Sequence, residues 1–488
     1  MCIRDSSYTN LFNGVAYSVH FVNACCIKSI RGVDFLNNDI PKQKKFHFTT
    51  FQIIILGFAG VILLGSLLLC LPISTRSGES ASYLDALFTA TTSVCVTGLV
   101  TQDTGTYWSL FGQIIILILI QIGGMGVMTV AIMFGLMARR KRFSLTQRNT
   151  MQEAISAPNL GNIIKQTKFI ICVTAAAEIA GAVCMFPVFN REYSVLKSIW
   201  YAVFHSVSAF CNAGIDLMGS KEQFSSLTSY YANPIVNFVI MFLIVFGGIG
   251  FITWDDMHKY GIKFKKYHLQ CKIAIATTAV LIIVPAVYFY CFEFSRPVWN
   301  DMTVWDKILA SLFQSVTPRT AGFNTVDLNS MTEISQTLMI ILMLIGGSPG
   351  STAGGMKTTT FAVVIASMLS VFKRKNDAEA FRRRISFDSV RSASAVMAMY
   401  IVLFLVGGLT IAQIEGLPVL DCLYETASAI GTVGLTLGIT VELEPFSKII
   451  LILLMYFGRV GALTLIFAAV SKNAKKYVKL PQENVNVG

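Results

Sequence analysis

The sequence predicts an all-α integral membrane protein with eight transmembrane helices and four re-entrant pore loops. These elements are expected to form four pseudo-repeats of helix, pore loop and helix around one central pore. Three observations predict this fold: an apolar composition, long apolar runs that alternate with basic connections, and a unit of roughly 110 residues that recurs four times.

The composition is too apolar for a soluble protein of this length. Of the 488 residues, 54% are hydrophobic and 14% are charged, whereas about a quarter of an average soluble domain is charged. Runs near 20 residues are long enough to cross the hydrocarbon of a bilayer as helices. The apolar runs are 51–71, 110–138, 168–189, 234–252, 271–292, 333–347, 396–414 and 446–470.

Lys and Arg cluster in alternate connections between these runs. One set of connections holds 24 of them, and the other set holds 7. By the positive-inside rule the basic set is cytoplasmic, so both termini are inside and the number of spans is even. The formal charge of +12 therefore indicates membrane topology and contact with membrane lipid, and nucleic acid is not an expected partner. The basic connections are 42–45, 139–148, 257–272, 373–391 and 472–479.

Four repeats follow an N-terminal extension, 1–48, to which the sequence assigns no role. They are followed by a cytoplasmic tail, 473–488. The repeats cover 49–138, 166–256, 270–372 and 390–472, and the third is expected to have a broken inner helix.

Each repeat contains a half-length segment that ends in a turn with glycine. The segments are about 12 residues long, which gives about 18 Å of helix and cannot cross a bilayer. Each is therefore expected to enter the membrane and return as non-helical backbone, which is tolerated only inside protein or beside water. The half-length segments are 83–94, 199–210, 305–316 and 419–430, and the glycines are Gly98, Gly214, Gly322 and Gly434.

The glycine turns can bind a dehydrated alkali cation through backbone carbonyl groups. Glycine supplies the unusual backbone conformation that points successive carbonyls at one axis, and the partly negative C-termini of the half-helices favour a cation there. The predicted filter residues, which would bind K+ and possibly Na+, are Val96, Thr97, Gly98, Leu99, Asn212, Ala213, Gly214, Ile215, Thr320, Ala321, Gly322, Phe323, Thr432, Val433, Gly434 and Leu435.

A second glycine cluster follows each turn, within the inner span. Three clusters begin at Gly123, Gly346 and Gly458, 24 or 25 residues beyond the filter glycine, and the second begins at Gly247. Close helix packing is the ordinary use of such residues in membranes. Their recurrence favours a shared hinge that lines the pore.

These features resemble the Trk/Ktr/HKT superfamily of potassium and sodium transporters, over about 49–478. The run GGSPGSTAGGMKTTTF at 346–361 is similar to the intramembrane gating loop of the bacterial Ktr branch, and GRVGALT at 458–464 is similar to its final inner-helix motif. The resemblance implies potassium uptake across a bacterial plasma membrane, with possible sodium dependence. Glycine in the first loop implies potassium selectivity. The resemblance also implies a homodimer on a ring of cytosolic nucleotide-binding regulatory subunits.

Arg459 and the loop at 347–357 are predicted to form a gate beneath the filter. Alignment of the glycine clusters places Arg459 where the other repeats have glycine, and an arginine within a span is costly unless it faces protein or water. Oxygens of Ser348, Ser351 and Thr352 are expected to hold its guanidinium. The predicted gate residues are Gly347, Ser348, Gly350, Ser351, Thr352, Gly354, Gly355, Lys357 and Arg459.

Acidic residues supply further candidates. Five aspartates are expected near the outer mouth, where they would either concentrate cations or cap helices: Asp85, Asp216, Asp306, Asp327 and Asp421. Glu178, within an apolar span, is a functional candidate without an evident partner.

Several other functions remain open at this point. They are a sodium-permeable transporter of the same superfamily, the potassium-binding subunit of an ATP-driven pump, and a secondary transporter with alternating access. The scattered histidines and cysteines form no metal-binding pattern, and no catalytic set is evident. We therefore expect neither an enzyme nor a covalently bound cofactor.

Overall fold

A computed structural model describes residues 49–127, 129, 130, 163–461, 464 and 483. The predicted N-terminal extension, the basic connection at 139–148 and nearly all of the C-terminal tail lie outside the described residues.

Four long apolar helices begin the four repeats. They are α1 (Thr50–Leu69), α4 (Ile163–Phe189), α8 (Leu269–Tyr288) and α12 (Phe387–Glu415), and a π-helical turn, Phe289–Glu293, extends α8. All four are long and apolar enough to cross a membrane. A capping box begins α1, in which Thr49 and Gln52 satisfy each other's free backbone N–H groups.

A shorter helix follows each outer helix at the predicted position. These half-helices are α2 (Tyr83–Cys95), α5 (Val195–Cys211), α9 (Val304–Val316) and α13 (Val419–Gly431). Three agree with the sequence within two residues, and α5 begins four residues earlier than expected. Left-handed residues end α2, α5 and α13, because Val96, Asn212 and Thr432 turn the chain there.

The inner helices α3 (Leu110–Met125), α6 (Pro234–Gly248), α10 (Glu333–Leu344) and α14 (Pro445–Val460) complete the repeats. A broken inner helix was expected in the third repeat and a shared hinge at all four glycine clusters, and each inner helix ends in or just before its cluster. Gly126, Gly250 and Gly461 have φ values of 83°, 100° and 88°, which a right-handed helix does not allow. In the third repeat, non-helical residues 345–357 separate α10 from α11 (Thr358–Phe372).

The break after α6 produces a sharp bend. The chain turns by 95° at Gly250 into α7 (Phe251–Tyr260). The described residues therefore contain four continuous candidate spans, or five when α6 and α7 count as one. Eight complete crossings stay a prediction, because α3, α10 and α14 have only 16, 12 and 16 residues.

A two-stranded antiparallel hairpin joins α11 to α12. Its strands β1 (Glu379–Ala380) and β2 (Arg383–Arg384) pair Glu379 with Arg384. The hairpin belongs to the basic connection 373–391, and both residues of β2 are exposed.

The helices close into a ring of four repeats. Each inner helix packs against the half-helix of the next repeat: α3 against α5, α6 against α9, and α10 against α13. The last inner helix, α14, packs against the first half-helix, α2. This cyclic packing brings the four turns that follow the half-helices to one centre.

Candidate functional site

The four filter glycines surround one constriction. A β-carbon built on Gly98 would lie 3.3 Å from the Cα of Gly214 and 3.2 Å from the Cα of Gly434. One built on Gly322 would lie 3.2 Å from both of the same Cα atoms. The glycines therefore follow the order of the repeats around a closed ring.

Backbone oxygens occupy the space that side chains would need in this ring. The β-carbon positions of Gly98 and Gly322 are 2.5 Å from Ala213 O and 2.3 Å from Val433 O. All four glycines also have positive φ, between 65° and 98°. Glycine is required here for two reasons, the close approach of the next loop and the backbone conformation.

The residue two positions before each glycine also has positive φ. Three of these residues are the β-branched Val96, Thr320 and Thr432, and the fourth is Asn212. β-Branched residues are clear outliers in this region, and such strain persists where the surrounding structure enforces it. The conformation recurs in all four loops, so it is a regular feature of the constriction.

Buried hydroxyl groups hold the filter loops from behind. The Thr92 and Ser428 hydroxyls each accept a hydrogen bond of 2.9 Å from the N–H of their filter glycine. In the other two loops, Ser208 donates to Ile215 O at 2.7 Å, and Thr317 donates to Phe323 O at 2.6 Å. The hydroxyl residues concentrated before each turn thus fix the loop backbone.

A cavity of about 140 Å³ opens on one side of the glycine ring. All four filter glycines line it, together with the carboxyl-bearing Asp103 and Asp216, and no basic residue is among its described lining. We call this cavity the outer vestibule. Its acidic walls favour cations.

Most of the five candidate aspartates have ordinary structural roles. Asp306 forms a capping box with Thr303 at the start of α9, and Asp327 accepts hydrogen bonds from Asn329 N and the Ser330 hydroxyl. Asp85 and Asp421 lie in the first turns of α2 and α13. Of the five, Asp216 alone lines the outer vestibule.

The first glycine of three inner-helix clusters packs against the end of a half-helix. β-Carbons built on Gly123, Gly247 and Gly458 would lie 2.1, 2.1 and 2.2 Å from the carbonyl oxygens of Val94, Phe210 and Ile430. These three carbonyl groups are at equivalent positions, because Val94, Phe210 and Ile430 each precede the filter glycine of their repeat by four residues. These glycines therefore serve close packing, whereas the last glycine of each cluster interrupts the helix.

The predicted gate loop lies against the opposite side of the constriction. A β-carbon on Gly354 would meet the Thr432 hydroxyl at 2.1 Å, and one on Gly355 would meet Gly431 O at 2.8 Å. Gly355 N also donates to Gly458 O at 3.2 Å. The loop thus contacts both the fourth filter loop and the fourth inner helix.

Further hydrogen bonds tie the loop to the second repeat. Ser348 N donates to Gly248 O at 2.9 Å, and the Thr352 hydroxyl donates to Phe210 O at 3.0 Å. The loop therefore joins three repeats beneath the filter.

Arg459 connects this loop to two inner helices. Its guanidinium donates to the carbonyl oxygens of Thr352 and Gly123, and to Gly124 O at 3.1 Å. Thr352 had been expected among its partners. The serines are not partners: the Ser348 hydroxyl pairs with Thr358, and the Ser351 hydroxyl donates to Ser348 O.

A second cavity, of about 350 Å³, lies beside the gate loop, and we call it the inner cavity. Arg459, Lys357 and the loop residues Gly350, Ser351 and Gly355 line it. Its described lining contains no carboxylate. The two cavities therefore have opposite charge, acidic at the vestibule and basic behind the gate loop.

Two acidic residues beside the constriction were missed by the sequence analysis. Asp103 lines the outer vestibule and accepts hydrogen bonds from Thr106 and from Phe224 N. Glu425 is fully buried in α13. An acid within an apolar half-helix was the available signal for Glu425, and nothing in the sequence pointed to Asp103.

Glu178, by contrast, was recognised, and the structure identifies its neighbours. Gln121 of α3 lies beside its carboxyl group, whose Oε1 has no hydrogen-bond partner among the described residues. The Ser206 hydroxyl of α5 donates to its backbone carbonyl at 2.6 Å. This residue therefore joins the first and second repeats.

Comparisons with known proteins agree with this architecture. The family model described as "TrkH: Cation transport protein" matches residues 18–480. The potassium/sodium uptake protein NtpJ of Enterococcus hirae is 38% identical, over 92% of this chain and 99% of the relative. The Ktr system potassium uptake protein B of Bacillus subtilis is 37% identical, over 91% of this chain and 98% of the relative.

A solved structure has a similar fold. The crystal structure of the potassium transporter TrkH from Vibrio parahaemolyticus matches with a TM-score of 0.68 at 19% sequence identity. The match covers 93% of this chain and 90% of that one.

Proposed function

The chain belongs to the TrkH family of cation transport proteins, and from this premise we propose that it takes up potassium through the ring of four glycines. The observation that carries the proposal is the closed ring itself, with the acidic vestibule on one side and the gate loop on the other. Relatives named for potassium uptake support the choice of ion.

The proposed filter consists of backbone from the four turns at 96–99, 212–215, 320–323 and 432–435. Carbonyl oxygens there would replace the water around a dehydrated cation. The paired positive φ values in each loop support this proposal, because they set the direction of consecutive peptide groups. The first loop has glycine, Gly98, at the position equivalent to the other three filter glycines, and this supports selectivity for potassium over sodium.

The proposed gate is the loop at 347–357 together with Arg459. The loop's contacts with Thr432 support a closed arrangement directly beneath the filter. A guanidinium about 6 Å from a permeating cation repels it by about 0.7 kcal/mol even at the dielectric constant of water. The repulsion would be several times larger in a partly dehydrated passage.

We propose that the chain works with other subunits in a bacterial plasma membrane. Relatives are named as components of a Ktr system, which supports a separate cytosolic regulatory subunit. The exposed basic segments at 257–272 and 373–391 would offer a docking surface, and a homodimer would present two such surfaces. Both termini are expected in the cytoplasm.

Growth of a potassium-uptake-deficient bacterium on low potassium tests the proposed function. Cells that express this chain, with and without a Ktr-type regulatory subunit, should grow and take up rubidium faster than sodium. The Gly322→Ser variant, detected at wild-type levels in the membrane, is the matched control for the filter and should show a lower preference for rubidium over sodium. Equal growth with an empty vector, in the presence of the regulatory subunit, would refute the proposal.

Sodium permeation is the second candidate, because one relative is named a potassium/sodium uptake protein. Parallel measurements of rubidium and sodium flux distinguish potassium uptake from sodium permeation. Sodium uptake that equals rubidium uptake in wild-type protein would favour the sodium-permeable transporter.

A further inference from the structure

Glu425 has a carboxylate oxygen without a partner beside the filter. The side chain belongs to α13 and is 0% exposed. Its Oε1 accepts a hydrogen bond from the Thr440 hydroxyl, and its Oε2 has no hydrogen-bond partner among the described residues. An ionisable group in such a place is a functional candidate.

The other repeats place different chemistry at this position. Each equivalent residue lies nine residues before its filter glycine: Thr89, His205, Phe313 and Glu425. In the second repeat, both ring nitrogens of His205 have partners, Tyr201 O at 2.7 Å and Leu217 N at 3.4 Å. The carboxylate is therefore a feature of one repeat, and the fold does not require an acid here.

Two hydroxyl groups connect Glu425 to the outer vestibule. The Oγ1 atoms of Thr440 and Thr436 are 3.1 Å apart, and both threonines line the vestibule with Gly434. Thr440 therefore lies between the vestibule and Glu425, which is not itself among the vestibule's lining residues.

Neither protonation state satisfies Glu425 within the protein. An ionised carboxylate with a free buried oxygen loses hydration without compensation. A protonated Oε2 would instead be a donor without an acceptor among the described residues. The adjacent oxygens of Thr436 and Thr440 are hard ligands, the kind that alkali and alkaline-earth cations prefer over soft metals.

We propose that Glu425, with the hydroxyl groups of Thr436 and Thr440, binds a monovalent alkali cation beside the outer end of the filter. The inference rests on the proposed function, because it requires alkali cations to enter the vestibule. The site is separate from the glycine ring, and it is supplied by the fourth repeat alone.

Equilibrium binding of radioactive sodium and rubidium to the purified full-length chain tests this site. The wild-type chain should bind one more ion than Glu425→Gln, which keeps the shape of the side chain and removes its charge. Competition between the two ions identifies which one occupies the site. Equal stoichiometry and affinity in wild type and Glu425→Gln would overturn the proposal.

Two further variants distinguish a specific ion site from a nonspecific electrostatic effect of nearby negative charge. Thr436→Val removes one hydroxyl from the vestibule wall and should lower the affinity for the Glu425-dependent ion at least tenfold. Glu442→Gln removes an exposed charge from the same segment and should change the affinity for the Glu425-dependent ion less than twofold. If Glu442→Gln weakens binding as much as Glu425→Gln, the effect is general and the site is refuted. If Glu425→Gln does not fold, Thr436→Val decides.

The filter variant Gly322→Ser distinguishes this inference from the proposed function. If Gly322→Ser loses the preference for rubidium but still binds the Glu425-dependent ion, both the proposed filter and the proposed site are supported. An unchanged preference, with one ion still lost in Glu425→Gln, refutes the filter and supports the site.

Discussion

At the scale of single residues, the constriction depends on backbone atoms more than on side chains. The filter glycines leave no room for a β-carbon, because a carbonyl oxygen of the neighbouring loop lies where that atom would be. The strained residues two positions earlier are held by buried hydrogen bonds, among them the one at 3.1 Å from Asn212 to Thr320. If these loops form the proposed filter, a substitution here is expected to alter ion coordination.

Gly322→Ser is expected to lower the preference for rubidium over sodium at least tenfold. The new side chain meets Val433 O at 2.3 Å, and φ of 82° adds strain. The ratio of rubidium to sodium flux in liposomes measures the effect. Gly416→Ala is the control, since Gly416 has φ of 68° and no atom within 4 Å of its β-carbon position. It should cost about 1 kcal/mol of stability and leave selectivity intact.

Unchanged selectivity in single serine variants of all four filter glycines would contradict the assignment of the filter.

Arg459→Ala should raise maximal flux and leave selectivity unchanged. The substitution removes the charge from the inner cavity and frees Thr352 O in the gate loop. Rubidium influx per inserted protein is the measurement. The same contacts also tie α3 to α14, so thermal stability must be measured in parallel. Wild-type flux, or loss of assembly in place of higher flux, would favour a purely structural role for Arg459.

At the scale of secondary-structure elements, each inner helix has two functions that different glycines perform. The first glycine of a cluster lets the inner helix touch the end of a half-helix, and the last glycine interrupts the helix. The third repeat replaces this short interruption by the whole segment at 345–357. The same glycine cluster thus ends three inner helices at a glycine with positive φ and is followed by a non-helical loop in the third repeat.

Gly458→Ala should destabilise the protein by about 1 to 3 kcal/mol, the usual cost of overpacking. Its β-carbon would lie 2.2 Å from Ile430 O, so α14 and α13 must separate. Thermal unfolding in detergent and rubidium flux are the measurements. Gly60→Ala is the matched control, because no atom lies within 4 Å of its β-carbon position in α1. Equal stability of the two variants would contradict the packing role.

Deletion of several residues from 348–355 should increase flux and preserve the preference for rubidium. In the proposed gate this segment blocks the passage, while the proposed filter backbone belongs to other turns. Flux of the inserted variant is compared with that of a variant in which the exposed hairpin residues 382–384 are replaced by alanine. Flux of the deletion variant at or below the wild-type level would contradict the gate.

At the scale of the whole molecule, cyclic packing of the repeats produces a passage with opposite charge on its two sides. The outer vestibule has acidic residues from the first and second repeats, and the inner cavity has Lys357 and Arg459 from the third and fourth. Cations are therefore attracted at one side and opposed at the other, where the loop lies. This asymmetry requires non-identical repeats within a single chain.

A regulatory subunit is expected to control flux through the basic connections. The purified chain alone should show low flux that nucleotides do not change, and addition of a Ktr-type ring should make flux nucleotide-dependent. Neutral substitutions at Arg382, Arg383 and Arg384 should weaken this response without lowering basal flux. Full nucleotide-regulated flux from the purified chain alone would contradict a required partner.

The sequence by itself determined the class of fold, the positions of the half-helices and the filter glycines. Hydrophobic length, alternating charge and a fourfold repeat are local or periodic signals, and they report burial in lipid directly. The half-helices at 83–94, 305–316 and 419–430 agree with the structure within two residues for the same reason. Arg459 was also evident, because a charge in an apolar span stands out.

Only the tertiary structure decided which atoms meet. Ring closure by α14 on α2, the carbonyls bonded by Arg459, and the place of Asp103 at the vestibule beside Asp216 all join residues far apart in sequence. The glycine clusters favoured a shared hinge, but their sequence did not show that Gly126, Gly250 and Gly461 are the residues that end the helices, since glycine permits a bend but does not impose one. Contacts between repeats are a property of the assembled ring, and a local sequence pattern does not report them.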